Sequence, residues 1–354
     1  MFQNRTLPDD DMLTHKKYED QSLHPAVQDD RTDDWELAKP EEQGMGSELL
    51  EHASRRFRAT TRSAHSLMVV RNGKIVFERY YQGPGPDHLH AVACVTKSCL
   101  SAVFGIALEQ GLVGSVDDRL VDCFPEVPGK NADPLTRTIT FRHLLNNTAG
   151  FHWPHTRGGH EPMFTRLWQS RDPLEFMLSH PVTNTPGTVF TYNGACAWLL
   201  TAVLDRTTPN GALAFAEESL FRPLGIFRKE WDMDPRGLHL LSWGLRLRPR
   251  DMAKFGLLYL NRGRRQGVQV VPQAWVSDSW TDPGTGYGHL WWIGNSAGHA
   301  TYRAQGGSGA FIAVVPDLDL VVVTTGKANR RMYAPVYAVG DLIIPAITSA
   351  IVES

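Results

Sequence analysis

Apolar positions in this chain fall into two kinds of run, β-type near the ends and helical between them. Ser66 to Gln82 reads SLMVVRNGKIVFERYYQ. Its two β-rich halves flank Asn72-Gly73, a pair that favours the tight turn of a hairpin. Ala310 to Thr325 reads AFIAVVPDLDLVVVTT and predicts two further strands joined at Pro316-Asp317. Between these runs, Cys94 to Gln110 is apolar at helical spacing and stops at Gly111, a residue suited to a helix C-terminus. The segments Phe141 to Asn147, Ala195 to Arg206, Ala212 to Phe221 and Arg250 to Asn261 carry the same period. Gly44 to Thr61, with Leu49, Leu50 and Phe57, predicts an earlier helix, and Ala334 to Ile351 a terminal one.

Strands near both ends with helices between them predict an α/β fold of the α+β type. Its antiparallel sheet is assembled from the two chain ends, flanked by helices, with a helical lobe inserted. The boundaries expected are an N-terminal extension over residues 1–40 and a catalytic domain over 41–354. Within that domain the α/β part covers about 41–110 and 285–354, and the lobe about 111–284. The extension is polar and acidic, without a repeating apolar period, and reads as wrapped on the surface or partly mobile. Gly150 to Gln169 (GFHWPHTRGGHEPMFTRLWQ) reads as a long aromatic loop, the kind that often covers an active site.

Composition narrows the class. A chain of 354 residues with 42% hydrophobic and 21% charged positions is that of an ordinary globular enzyme. The formal net charge of −2 argues against a nucleic-acid partner or an anionic membrane surface. The basic run Arg262, Arg264, Arg265 reads as a solvated turn. No run approaches the roughly 20 apolar residues of a membrane-spanning helix, and MFQNRTLPDDDMLTHKKYEDQ has no secretory leader pattern. Cys94, Cys99, Cys123 and Cys196 show neither metal spacing nor disulfide density, so a cytoplasmic setting is expected. Among the histidines, His152, His155 and His160 share a loop without a matching carboxylate pattern, and no metal or other cofactor is expected. Nothing in the pattern specifies an oligomer.

The chemistry gathers at Ala93-Cys94-Val95-Thr96-Lys97-Ser98, opening the long apolar helix. A nucleophile and a lysine three positions apart share one helix face, close enough to exchange a proton. With Ser in place of Cys94 this is the SxxK pattern of β-lactamases and penicillin-binding proteins. Four further segments extend the likeness. Ile139 to Gly150, ITFRHLLNNTAG, resembles the class C-like ITxRHLLxHTSG. Pro186 to Leu200, PGTVFTYNGACAWLL, resembles PGxxFxYSNxGYxLL, and Gly244 to Tyr259, GLRLRPRDMAKFGLLY, resembles GLxxTxxDxAKFGxLx. Ala304 to Val315, AQGGSGAFIAVV, resembles the glycine-rich last motif. The order is the family's, over about residues 45 to 350. The chain thus resembles the serine β-lactamase and penicillin-binding-protein family, in the branch of esterases and of amidases like 6-aminohexanoate-dimer hydrolase.

That resemblance implies roles. Cys94 stands at the nucleophile, Lys97 at the base, and Tyr192 at the tyrosine that relays a proton to the leaving group. The backbone N–H groups of Cys94 and Gly307 would form the oxyanion hole, with Gln305, Gly306, Trp153 and Trp243 as substrate-binding positions. The implied substrate is a small ester or amide, with an amine as a further candidate acceptor. Gly194 replaces the asparagine of many members, and Gln305-Gly306 lacks their basic residue for a β-lactam carboxylate, so antibiotic hydrolysis is not implied. Three readings of Cys94 stay open: a native nucleophile, an altered serine enzyme, and a site whose thiol only packs. The last would be a silent binding protein. Helix N-termini and neighbouring bases lower a cysteine pKa, which favours the first.

Overall fold

The computed structural model describes residues 35–81, 85–127, 133–156, 161–232, 242–327 and 334–347. Residues 1–34 of the expected extension lie outside this set. Just beyond them, residues 36–38 run beside the sheet: Ile75 N–H donates to Glu36 O and Ala38 N–H to Ile75 O.

In chain order the elements begin with α1 (Ser47–Thr60), β1 (Ala64–Arg71), β2 (Lys74–Tyr80), β3 (His90–Ala91) and α2 (Val95–Glu109). The middle adds α3 (Phe141–Leu145), α4 (Pro162–Gln169), α5 (Pro173–Leu178), α6 (Gly194–Thr207) and α7 (Gly211–Ala216). After β4 (Glu230–Trp231) and β5 (Leu245–Leu247) come α8 (Pro249–Leu260), β6 (Arg264–Arg265), β7 (Val268–Gln269) and α9 (Gln273–Ser279). The last part is β8 (Tyr287–Gly288), β9 (Trp291–Ser296), β10 (His299–Gln305), β11 (Phe311–Val315), β12 (Leu320–Gly326) and α10 (Ala334–Ala338).

Seven strands form one sheet in the order β2-β1-β12-β11-β10-β9-β8, and each pairing is antiparallel. The two chain ends meet at β1 and β12, where Val69 faces Val322. The hairpin turn sits where Asn72-Gly73 predicts it, with both residues at positive φ (50° and 77°), as a type I′ turn requires. Alternate residues of the central strands serve opposite faces. Met68, Val70, Ile312, Val314, Val321 and Val323 pack into the core under the helical side. Leu67, Val69, Phe311, Ala313, Val315, Leu320 and Val322 pack under α1 and α10. Burial on both faces is why these strands read as nearly continuous apolar runs.

Helix α2 is buried along almost its whole length, from Val95 to Ala107. It runs close to α9: a Cβ at Gly105 would fall 2.3 Å from the Trp275 ring, so only glycine admits that approach. The Trp275 indole N–H also donates to Ser101 Oγ at 3.3 Å. This double contact fixes the helix that carries Cys94 and Lys97.

The structure changes several expectations. Residues Pro162–Gln169 of the supposed loop form α4, with Pro162 at its first turn, where proline is pre-organised; residues 157–160 are outside the described set. Among the described residues the terminal helix is regular over Ala334–Ala338, then widens over Val339–Ile343 and tightens over Ile344–Ala346, and residues 348–351 of the expected helix lie outside the described set. Pro345, which cannot donate within a helix, lies in that last turn. Strands β8 to β10 and a small sheet ordered β3-β5-β4 were not legible in the apolar pattern.

Candidate active site

Cys94 is the N-cap of α2, and the turn before it is unusual. Ala93 adopts φ 47° without being glycine, a left-handed conformation costing about 1–3 kcal/mol and kept only where the surroundings enforce it. The enforcement is visible. Val92 N–H donates to Leu245 O at 2.9 Å, and Thr96 N–H to Ala93 O at 3.0 Å. From the other side, Ser308 Oγ donates to Ala91 O at 2.7 Å. A Cβ at Gly306 would fall 2.3 Å from Val92 O, so the β10–β11 turn rests directly on the backbone leading to Cys94. A Cβ at Gly307 would meet nothing within 4 Å. Gly307 therefore borders open space beside the Cys94 turn, and the half-buried Gln305 precedes it at the end of β10.

Lys97 lies one turn into α2 and is 3% exposed. Its Nζ donates to Cys94 Sγ at 3.2 Å and to Ser242 O at 3.0 Å. The helical i, i+3 spacing thus brings amine and thiol together, and the carbonyl before β5 fixes the amine's direction. Ser242 was not read from the sequence, since a backbone acceptor leaves no side-chain signal.

Tyr192 arrives from the segment before α6. Asn147, itself at φ 54°, grips that segment twice: its side-chain Oδ1 accepts from Asn193 N–H and its backbone O from Thr191 N–H, both at 2.9 Å. The Tyr192 ring stacks on Trp292 at 5.6 Å and 19°, and Lys97 Nζ lies 5.4 Å from its centroid. Desolvation holds the Tyr192 phenol well above its ordinary pKa, and the neighbouring Cys94 adds to the rise. Tyr287, fully buried, is raised by burial first and by Cys94 next. Both phenols are therefore protonated at neutral pH. Cys94, Lys97 and Tyr192 form one connected cluster.

Trp153 and Trp243 lie around it. Trp153 is buried, and its indole N–H donates to Glu161 Oε2 at 2.7 Å. Trp243 follows Ser242 and faces Trp168 at 5.7 Å. Glu161, which the sequence pattern did not single out, also accepts from Gly194 N–H at 2.7 Å. His155 contacts Tyr192 O through Nε2 at 2.7 Å. His90, four residues before Cys94, is buried in β3 against His65, and its pKa is pushed down to about 4, chiefly by burial. Among the described residues, no group of three or more His, Cys, Asp or Glu side chains is placed to hold a metal ion.

Residues 49–335 match the family described as Beta-lactamase. The chain belongs to the β-lactamase family. This β-lactamase-family protein is 23% identical over 289 residues to the 6-aminohexanoate-dimer hydrolase of Paenarthrobacter ureafaciens, covering 73% of this chain and 71% of that one. Its fold is shared with EstCE1, a hydrolase with promiscuous acyltransferase activity, at TM-score 0.68 and 16% identity over 86% of this chain and 98% of the other. A D-stereospecific amidohydrolase from Streptomyces sp. gives TM-score 0.65 at 17% identity, covering 82% and 98%. All three of these similar proteins are hydrolases by name. Among the described residues, no helix is long and apolar enough to cross a membrane.

Proposed function

We propose that this protein transfers or hydrolyses the acyl group of a small ester or amide through a thioester at Cys94. The observation that carries the reading is the Lys97 Nζ to Cys94 Sγ contact at 3.2 Å, with the Tyr192 ring centroid 5.4 Å from the same amine. A buried ammonium beside sulfur stabilises the thiolate, which is the reactive form. The thiolate attacks the carbonyl carbon, and the C=O π electrons move to oxygen. That oxyanion lies beside the backbone N–H groups of Cys94 and Gly307, and such donors act on charge that appears only in the transition state.

Collapse restores the carbonyl and breaks the bond to the leaving group, which takes its proton from the Tyr192 phenol. The Lys97 ammonium returns a proton to Tyr192. In the second half, water or an amine attacks the thioester and gives up a proton through Tyr192 to Lys97, and the Cys94 thiolate leaves. A thioester carbonyl is less resonance-stabilised than an ester, and amines attack it readily, which favours transfer to an amine acceptor. Gln305, Gly306, Trp153 and Trp243 bound the substrate in this reading, and the setting is cytoplasmic.

Alkylation tests it. Iodoacetamide at neutral pH is expected to label Cys94 ahead of Cys99, Cys123 and Cys196, with loss of p-nitrophenyl ester hydrolysis in proportion. Burial pushes the Cys99, Cys196 and Cys123 thiols up, away from the reactive form. Equal labelling of all four cysteines, or full activity after Cys94 is modified, would remove the thiolate from the mechanism.

A further inference from the structure

Cys94 and Lys97 face each other across one closed helical turn. Lys97 N–H donates to Cys94 O at 3.1 Å, and beside that turn Lys97 Nζ reaches Cys94 Sγ at 3.2 Å. Side-chain rotation alone would bring this nitrogen and sulfur to bonding distance, with the helix intact. The amine is held in place for it: Lys97 is 3% exposed, and its Nζ also donates to Ser242 O at 3.0 Å. The sulfur is open to a small reagent, since Cys94 is half-buried while Cys99 and Cys196 are buried. All four cysteines are free, and the group set against Cys94 Sγ is an amine.

Peroxides oxidise a thiolate to a sulfenic acid, and a sulfenic acid condenses with a nearby nitrogen to a sulfenamide. The Cys94 sulfur attacks one oxygen of hydrogen peroxide and the O–O bond breaks. The departing hydroxide takes a proton from the Lys97 ammonium and becomes water. Sulfur is oxidised by two electrons and the peroxide is reduced by two. The sulfenic acid carries no charge, and a buried ammonium without a counter-charge is disfavoured, so the amine stays neutral and nucleophilic. Its lone pair then attacks the sulfur, the S–O bond breaks, and hydroxide leaves with an N–H proton as a second water. Thiol, amine and one peroxide thus give an Nζ–Sγ bond and two waters.

We propose that hydrogen peroxide joins Cys94 and Lys97 in a reversible sulfenamide cross-link that switches this site off and shields its sulfur. The bridged protein has neither a free thiolate nor a free amine. The bridge also forestalls sulfinic acid, which is irreversible without dedicated repair. Dithiothreitol opens it: one thiol attacks the Cys94 sulfur, the amine leaves with a proton, and the second thiol closes a ring disulfide and frees Cys94. The inference shares the Cys94–Lys97 contact with the acyl-transfer reading but needs no acyl chemistry. Cys123 supplies a contrast. It is half-buried too, yet burial first and Asp118 next push its thiol up, so peroxide is expected to act at Cys94 before it.

Intact mass and peptide mapping test the cross-link. The wild-type protein is treated with a small excess of hydrogen peroxide and digested with trypsin at neutral pH without reductant. The expected product is about 2 Da lighter, two hydrogens having left in water. It shows no cleavage after Lys97, no dimedone adduct and no iodoacetamide label at Cys94. Dithiothreitol is expected to restore mass, cleavage and label together. Lys97→Arg keeps a cation beside the thiol but offers a far poorer nucleophile. That variant is expected to gain about 16 Da as a dimedone-trappable sulfenic acid, then about 32 Da as sulfinic acid. If it does not melt cooperatively, Lys97→Met and the wild-type map decide. A wild-type Cys94 found as sulfenic or sulfinic acid, with normal cleavage after Lys97, overturns the proposal. So does a 2-Da loss, roughly, that maps to a disulfide, or a Cys94 that peroxide leaves unchanged. Acylation without the bridge would sink this inference and leave the acyl-transfer reading intact. A bridge in a protein that never acylates would do the reverse.

Discussion

Lys97→Met and Tyr192→Phe are each expected to lower turnover of an activated ester by roughly two to four orders of magnitude, the range over which a positioned acid or base contributes. Both changes keep the packing. Methionine retains the length of the buried Lys97 stem, and phenylalanine retains the ring stacked on Trp292. The fold should therefore survive, as a melting curve would show. The two losses are expected to differ in kind. Without Lys97 the thiolate loses its partner, so acylation slows and iodoacetamide labelling of Cys94 slows with it. Without the Tyr192 hydroxyl the thiolate still forms, while leaving-group departure and deacylation lose their proton. Single-turnover kinetics with p-nitrophenyl esters separates these steps. Near-wild-type rates in either variant would take that residue out of the mechanism.

The second large effect is expected from Cys94→Ser. A hydroxyl is far less acidic than a thiol, so a serine beside Lys97 is expected to be activated less well. Because C–O is shorter than C–S, the carbonyl carbon would also sit closer to α2 and shift against the Gly306-Gly307 turn. Ester turnover is accordingly expected to fall by about tenfold or more, in line with the dependence of such nucleophiles on activation. The effect of an added amine acceptor should disappear with the thioester. The opposite result is equally plain. A large gain in plain hydrolysis for Cys94→Ser, with no acceptor effect in the cysteine form, would mean a pocket shaped for serine.

Much of this site is legible in the sequence because it is carried by side chains at short, regular spacing. Cys94 and Lys97 share a helix face, and the structure brings them to 3.2 Å. Tyr192 lies almost a hundred residues further on, and only the motif around it, not any period, points to its place. The central strands were legible because burial on both faces leaves them apolar throughout. Strands β9 and β10 were not: WWIGNS and HATYRAQ mix small, polar and aromatic residues and are only partly buried. Helix α4 was hidden by the composition of PMFTRLWQ beside a run of Gly and His.

What the pattern could not show are contacts made by backbone atoms or by distant partners. The Ser242 carbonyl that directs Lys97, the Leu245 carbonyl that holds Val92, and the double grip of Asn147 are of this kind. Glu161 is another case. Its neighbours in sequence say nothing of Gly194, which lies 33 residues away and supplies the N–H that holds its carboxylate. Local spacing finds the Cys94–Lys97 pair, and only the fold reveals what surrounds it.

Whether Cys94 carries the acyl group is tested most directly by intact-mass measurement during turnover. The protein is mixed with a p-nitrophenyl ester, quenched in acid at short times, weighed, and then mapped by peptide digestion. One added acyl mass per chain is expected at Cys94, labile to hydroxylamine as a thioester is, longer-lived in Tyr192→Phe, and absent from Cys94→Ala. An enzyme that turns over the ester with no adduct at Cys94, or with the acyl group on another residue, would contradict it.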